Sequence, residues 1–502
     1  MSSQVLVQVD ITHEIPNDLG ECFTLDDKSI QISDIYDHYN QFSLSHRYTD
    51  SRTEGRNTIR WIFARIVYCG DLGMAQVFFK MYPNVLSRPF SKGFYLRIAC
   101  ENGHLHLARW LHQLPFEYDD NNIGFKVFTR TCSNNYLHVA QWLVETFPSI
   151  KERPEKEDAL KMACKNGHLF MAKWLAETFP DINPCDDENE AFRFACENGH
   201  LEVAQWLVRR FPNINHRAQD DYAFRYACEN GHIQVARWLA EGFPDINHQV
   251  QDDYAFRCAC ENGHLQVARW LAEGFPNINH RAQDDYAFRC ACENGHLDVI
   301  RWLSSTYPDI DSRPNNDDAF RGACENGYLE VAKWLVRLTP KINPRSREDY
   351  AFRCACKSGY LDMAKWLIVK FPTINPRAKS DNAFYNACAK GHLHVAKWLV
   401  KRFPSIDPTS GRQAAFRDAC QNGHLDMAMW LVDTFPVINP RLDDDYIFRS
   451  VCFHDRLDLA MWLVERFPDI GQRVVDDSEF RNSCTWCDCD TREFLNSYAA
   501  NM

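Results

Sequence analysis

The sequence predicts an all-α fold, a solenoid of about fourteen helix-turn-helix repeats. Three observations carry this. The stretch Asp220–Asn247 (DDYAFRYACENGHIQVARWLAEGFPDIN) returns at Asp252–Asn279 and, with drift, at Asp284–Asp311, a step of 32 residues. One cysteine keeps that step: Cys100, Cys132, Cys164, Cys196, Cys228, Cys260, Cys292, Cys324, Cys356, Cys388, Cys420, Cys452 and Cys484. Within most steps, two apolar stripes at helical spacing flank a turn glycine, usually preceded by asparagine. A solenoid of this kind lengthens without needing a larger core, so the 502 residues do not demand several globular domains.

Residues 1–56 lie outside the repeat. They hold short apolar clusters broken by Pro16 and Gly20, and are expected to form an N-terminal leader or cap. A second reading stays open, a small adaptor module resembling a degenerate F-box segment. The array is expected over 57–502. Its first unit is the divergent Asn57–Val85, where Gly70, Leu72 and Ala75 echo Gly103, Leu105 and Ala108. The pattern is tight from Cys164 to Cys420 and loosens at both ends, as terminal units that must present a polar outer face do.

The unit at Cys228 shows how each element arises. Asp220 or Asp221 is expected to cap the first helix by accepting its free N–H groups. Tyr222–Glu229 forms that helix, with Ala223, Phe224, Ala227 and Cys228 inward. Asn230-Gly231 stops it, because glycine suits the left-handed residue after a helix. The second helix runs from about Ile233 to Gly242, with Val235, Ala236, Trp238 and Leu239 as its stripe. Pro244 ends it by lacking a donor and by pushing its predecessor out of helical geometry. Ile246 anchors the connector, and Asn247–Gln251 is the expected exposed loop.

Helices this short are marginal alone, so the units depend on stacking. The tryptophans on the step, among them Trp206, Trp238, Trp270, Trp302 and Trp334, are expected to carry much of it. Each buries about 150–250 Å², and Trp270→Ala is expected to cost about 3–5 kcal/mol. The step cysteines, Cys228 and Cys260 among them, repeat about 10 Å apart, too far for a ladder of disulfides. They read as small buried hydrophobes.

ACENGHLEVAQWL followed by a turn ending in Ile-Asn resembles the ankyrin-repeat family, over about residues 57–495. The resemblance implies antiparallel helix pairs, connectors projecting as β-turn or hairpin fingers, and a concave face that binds other proteins. The Phe-Pro and Ala-Cys-Glu-Asn-Gly-His wording is similar to large arrays from giant DNA viruses. Two departures stand out. The family's Thr-Pro-Leu-His start is Tyr222-Ala223-Phe224-Arg225 here, and the step is one residue short.

Several constellations recur. Asp221/Arg225 and its equivalents, such as Asp253/Arg257 and Asp349/Arg353, are spaced to pair on one helical face as a substitute for the missing Thr/His network, the alternative being a ligand-binding arginine row. Arg217, Arg281, Arg313, Arg345 and Arg377 form a connector row that either meets a partner's anionic groups or is neutralised by nearby aspartates. Tyr226 marks a variable position, a candidate for partner binding and specificity, that becomes Cys258, Cys290, Gly322 and Cys354. The histidines after the turn glycine are expected to tie neighbouring turns together by hydrogen bonds. Cys484, Cys487 and Cys489 lack an obvious fourth ligand, so no metal is expected. No cofactor fingerprint or nucleophile motif is present.

A formal charge of -12 disfavours a nucleic-acid surface. The cysteine usage, the absence of a secretory signal and the absence of a long apolar run point to an intracellular, cytoplasmic protein without a membrane partner. The expected function is a non-enzymatic, monomeric scaffold that binds another protein. The alternative is a substrate adaptor for a ubiquitin ligase, docked through residues 1–56. An enzyme with its chemistry in that segment is the least supported reading.

Overall fold

A computed structural model of the chain describes residues 54–83, 89–115, 120–152, 156–310, 314–470, 472, 494, 497 and 498. The described residues form helices and turns with no strand. None of these helices is long and apolar enough to cross a membrane. The chain divides into two compact units, which meet in sequence between His248 and Gln249.

The first unit is a run of helix pairs, from Glu54–Cys69 with Leu72–Met81 to Ala218–Glu229 with Ile233–Gly242. The second runs from Val250–Glu261 with Leu265–Gly274 to Leu442–Phe453 with Leu457–Arg466. Within each unit, the first helix of a pair packs mainly on the first helices before and after it. The divergent stretch around Gly70 therefore folds as a repeat, while residues 1–53 and the cysteines beyond Cys452 lie outside the described residues.

The core follows the apolar stripes. Ala223, Phe224, Ala227 and Cys228 are fully buried, as are Ala236 and Leu239 of the paired helix. Burial pushes the Cys228 and Cys260 thiols far above their ordinary range, so they stay protonated and inert.

The tryptophans depart from expectation. Trp206, Trp238, Trp270, Trp302 and Trp334 are half-buried, and the fully buried aromatic is the first-helix phenylalanine. The indole sits at the edge of the stripe and closes over one side of the core. Trp238 meets Phe192 of the preceding repeat at 6.3 Å and Phe243 of its own at 5.6 Å. Trp302 likewise meets Phe256 at 6.3 Å and Tyr307 at 6.2 Å. Half burial lowers the expected cost of Trp302→Ala to about 2 kcal/mol.

The turn glycine has two constraints. Gly263 has φ +78°, and the ring of His296 from the next repeat lies where a side chain would go. The histidine also ties the turns as expected. His104 Nε2 lies 2.9 Å from the Tyr68 carbonyl, and His168 Nε2 lies 2.9 Å from the Ser133 carbonyl. The turn asparagine adds a second tie, with Asn230 Nδ2 donating to Glu197 O at 3.0 Å and Asn294 Nδ2 to Glu261 O at 3.0 Å.

Burial of these rings sets a pH dependence. It lowers the pKa of His200, His232 and His392 below the ordinary 6.5. The unfolded chain then binds these protons first as pH falls, so stability is full above about pH 6.5 and declines below it. We expect urea midpoints to fall between about pH 7.5 and pH 5.5, with a shallower fall in His232→Asn. A midpoint that rises on acidification would contradict this.

Candidate interaction face

The residues from Gln219 to Asp221 turn the chain from connector to first helix, and all three are left-handed, with φ of 53°, 56° and 56°. Gln251–Asp253, Gln283–Asp285, Arg347–Asp349 and Lys379–Asp381 repeat the turn. Each left-handed non-glycine residue costs roughly 1–2 kcal/mol, so the turn needs support from side chains.

Arg225 supplies part of it. Its Nε donates to Asp220 O at 2.7 Å and its Nη2 to Gln219 O at 2.9 Å. Arg257 and Arg353 hold their turns through the same atoms. This corrects the expected pairing of Asp221 with Arg225 on one helical face. Asp221 belongs to the left-handed turn, where four-residue helical spacing does not apply.

The aspartate has a different task from the expected cap. The Asp221 carboxylate is fully buried, accepts from Arg217 Nε at 3.1 Å and accepts from Asn247 N, in the next connector, at 3.2 Å. Asp253 accepts from Asn279 N, Asp317 from Asn343 N and Asp381 from Asp407 N in the same register. Asn189 and Gln413 keep the bond with an amide oxygen. The recurring requirement at this position is therefore a short acceptor, more than a charge. Asp221→Ala should leave a main-chain donor without its acceptor and cost about 1.5–3 kcal/mol, with Asp221→Asn milder. Equal unfolding midpoints for the two variants would sink this.

The connector arginines are placed by the same clasp. Arg217, Arg281 and Arg377 point Nε at Asp221, Asp285 and Asp381, at 3.1, 3.2 and 2.8 Å, and Arg345 lies 3.6 Å from Asp349. Roughly half of each side chain stays exposed. Arg313 lies outside the described residues. Gln249 replaces this arginine in one repeat, where Asp253 Oδ1 is buried without a hydrogen bond, as Asp349 Oδ1 is where Arg345 stands off at 3.6 Å. Gln249→Arg is expected to supply the missing donor and to stabilise the chain by about 1 kcal/mol. A lowered melting temperature would contradict it.

The connectors are joined by contacts that the sequence reading did not single out. His216 stacks on Phe243 at 4.1 Å and reaches Asp245 at 2.9 Å. His280 stacks on Tyr307 at 4.0 Å and reaches Asp309 at 3.0 Å. The available signal was the recurrence of histidine at 216, 248 and 280 on the step.

Beside the connectors, the first helices carry a ladder of tyrosine, glutamate and arginine. Tyr222 Oη donates to Glu197 at 2.8 Å, Tyr286 to Glu261 at 3.0 Å and Tyr350 to Glu325 at 3.0 Å. The guanidiniums of Arg193 and Arg257 lie 4.7 and 4.9 Å from the Tyr222 and Tyr286 rings. Tyr226 stacks on Tyr222 at 3.9 Å. Among the described residues no group of histidines, cysteines and acids could hold a metal ion.

A family profile described as ankyrin repeats (3 copies) matches residues 96–186, 128–220, 192–284, 259–346 and 352–444, more than half of the chain. The chain belongs to the ankyrin-repeat family. Ankyrin repeats generally form protein–protein interaction domains. The chain is also similar to the crystal structure of the human ASB11 ankyrin repeat domain, with 18% identity and a TM-score of 0.32 over 45% of this chain and 95% of that one. No curated protein matches it as a relative. Against the family's Thr-Pro-Leu-His start, these ankyrin repeats use the left-handed turn held by arginine and aspartate.

Proposed function

We propose that the protein is a non-enzymatic scaffold whose first helices and connectors, the face that is concave in ankyrin arrays, bind another protein. The observation that carries this reading is the tyrosine–glutamate–arginine ladder. Tyrosine and arginine supply most of the strong contacts at protein interfaces. Here their rotamers are held beforehand by hydrogen bonds and stacking, which lowers the ordering cost of binding. Each unit also carries half-exposed connector arginines, Arg217 in the first and Arg281, Arg345 and Arg377 in the second, that are available to a partner's carboxylates. Tyr226 adds a position that differs between repeats, as does the ladder's own tyrosine position at Asp318, Asn382 and Ala414.

A photo-crosslinking residue at Tyr226, with a control at Gln234 on the second helix, tests this in extracts of the cell that makes the protein. The expected result is a discrete adduct from position 226 that is absent from 234. It should weaken when Arg217, on the connector of the same unit, is changed to glutamate. Equal labelling from both positions, or none from 226, would overturn the reading.

A further inference from the structure

The second helices present their own outer surface, and its charge is uneven. Leu329–Leu338, Leu361–Lys370 and Leu393–Arg402 together carry seven lysines and arginines against two acids, Glu330 and Asp362. Their neighbours in the same unit do not. Leu265–Gly274 and Leu297–Thr306 each hold one base and one acid, and acids outnumber bases in Leu425–Thr434 and in Leu457–Arg466. Glu330 pairs with Lys333 at 2.8 Å and Asp362 with Lys365 at 3.9 Å, so both acids are taken up by lysines of their own helices. Arg337, Lys341, Lys370, Lys397, Lys401 and Arg402 are exposed around them.

The helix dipole favours bases at helix C-termini, but it does not demand them here. The helices Ile233–Gly242, Leu265–Gly274 and Leu297–Thr306 end with no base in their last turn. Concentration in three successive repeats is therefore a property of the surface and not of the repeat. Val369 is 80% exposed and Leu338 44% exposed within the same strip. Solvent-facing valine has no packing role, and beside a ring of bases it offers an apolar foothold.

We infer that the outer face of the second helices from 329 to 402 is a docking surface for a short acidic protein segment with interleaved apolar side chains. It is separate from the first-helix face and does not depend on that reading. Charge complementarity selects an acidic occupant. The dimensions select a short one. Three repeats about 10 Å apart span about 20 Å, the length of about six extended residues. The acidic helices beyond Arg402 would repel a longer polyanion, and the exposed valine and leucine suit side chains better than a phosphate backbone.

The test uses the full chain and a labelled synthetic peptide of about eight residues, mostly glutamate with two leucines. Binding is expected at about 50 mM salt, weakening about tenfold by about 300 mM as screening shortens the reach of the charges. Lys397→Glu/Lys401→Glu/Arg402→Glu should weaken it at least about tenfold, and the milder glutamine triple variant should weaken it in the same direction with an unchanged circular dichroism spectrum. Arg269→Glu, on the same outer face but two repeats before the strip, should leave it unchanged. The inference is overturned by no binding at low salt, by an equal loss in Arg269→Glu, or by a single-stranded oligonucleotide of equal charge binding more tightly than the peptide.

Discussion

Phe256→Ala is expected to cost about 3–5 kcal/mol, the largest effect of any single truncation considered for this chain. The ring is 1% exposed and lies in the first helix, where it fills the space between its own pair and Trp302 of the next repeat. Removing it leaves a cavity lined by two repeats at once. The neighbours cannot collapse into that cavity without breaking the turn ties on either side. Because each repeat is held chiefly by its nearest neighbours, the loss should appear locally. Amide hydrogens of Val250–Glu261 and Ala282–Glu293 should exchange faster while those near Cys420 keep their protection. The half-buried Trp302 gives the internal comparison. A larger loss from Trp302→Ala than from Phe256→Ala would show that the indole is the stacking element after all.

Gly263→Ala should cost about 2–5 kcal/mol through two separable causes. A left-handed alanine is strained by roughly 1–2 kcal/mol, and overpacking against a rigid ring adds about 1–3 kcal/mol. A Cβ at this position would lie 2.4 Å from His296 Nδ1 and 2.7 Å from its Cε1. The His296 ring would have to move from its place over the Gly263 turn to admit the methyl group. The double variant Gly263→Ala/His296→Ala removes the collision and keeps the backbone strain. It should therefore cost less than the two single variants added together. Strict additivity in urea unfolding would mean that the ring and the glycine do not constrain each other.

Much of the architecture was legible in the sequence because it depends on local chemistry. The second helix spans Ile233–Gly242, as its periodicity and Pro244 indicate. The turn glycines are left-handed, as the Asn-Gly stop requires. The buried cysteines follow from their place in the apolar stripe. The candidate face was legible only in part. Tyr226 and the connector arginines stand out by their recurrence, but their surroundings do not. Asp221 and Arg225 stand four apart in the sequence, which suggests a pair on one helix. The left-handed turn between them sends the arginine to main-chain carbonyls and the carboxylate to the next repeat.

The sequence by itself therefore determined the repeat, its helices, its stops and the family to which the chain belongs, since those follow from period, propensity and apolar spacing. Only the tertiary structure decided which aromatic is buried, what each aspartate and arginine holds, and which bases share one exposed strip. Most of those outcomes depend on groups of different repeats, such as Phe192 with Trp238 and Asp221 with Asn247, meeting across the stack. One period of the sequence carries no information about what the next period places against it.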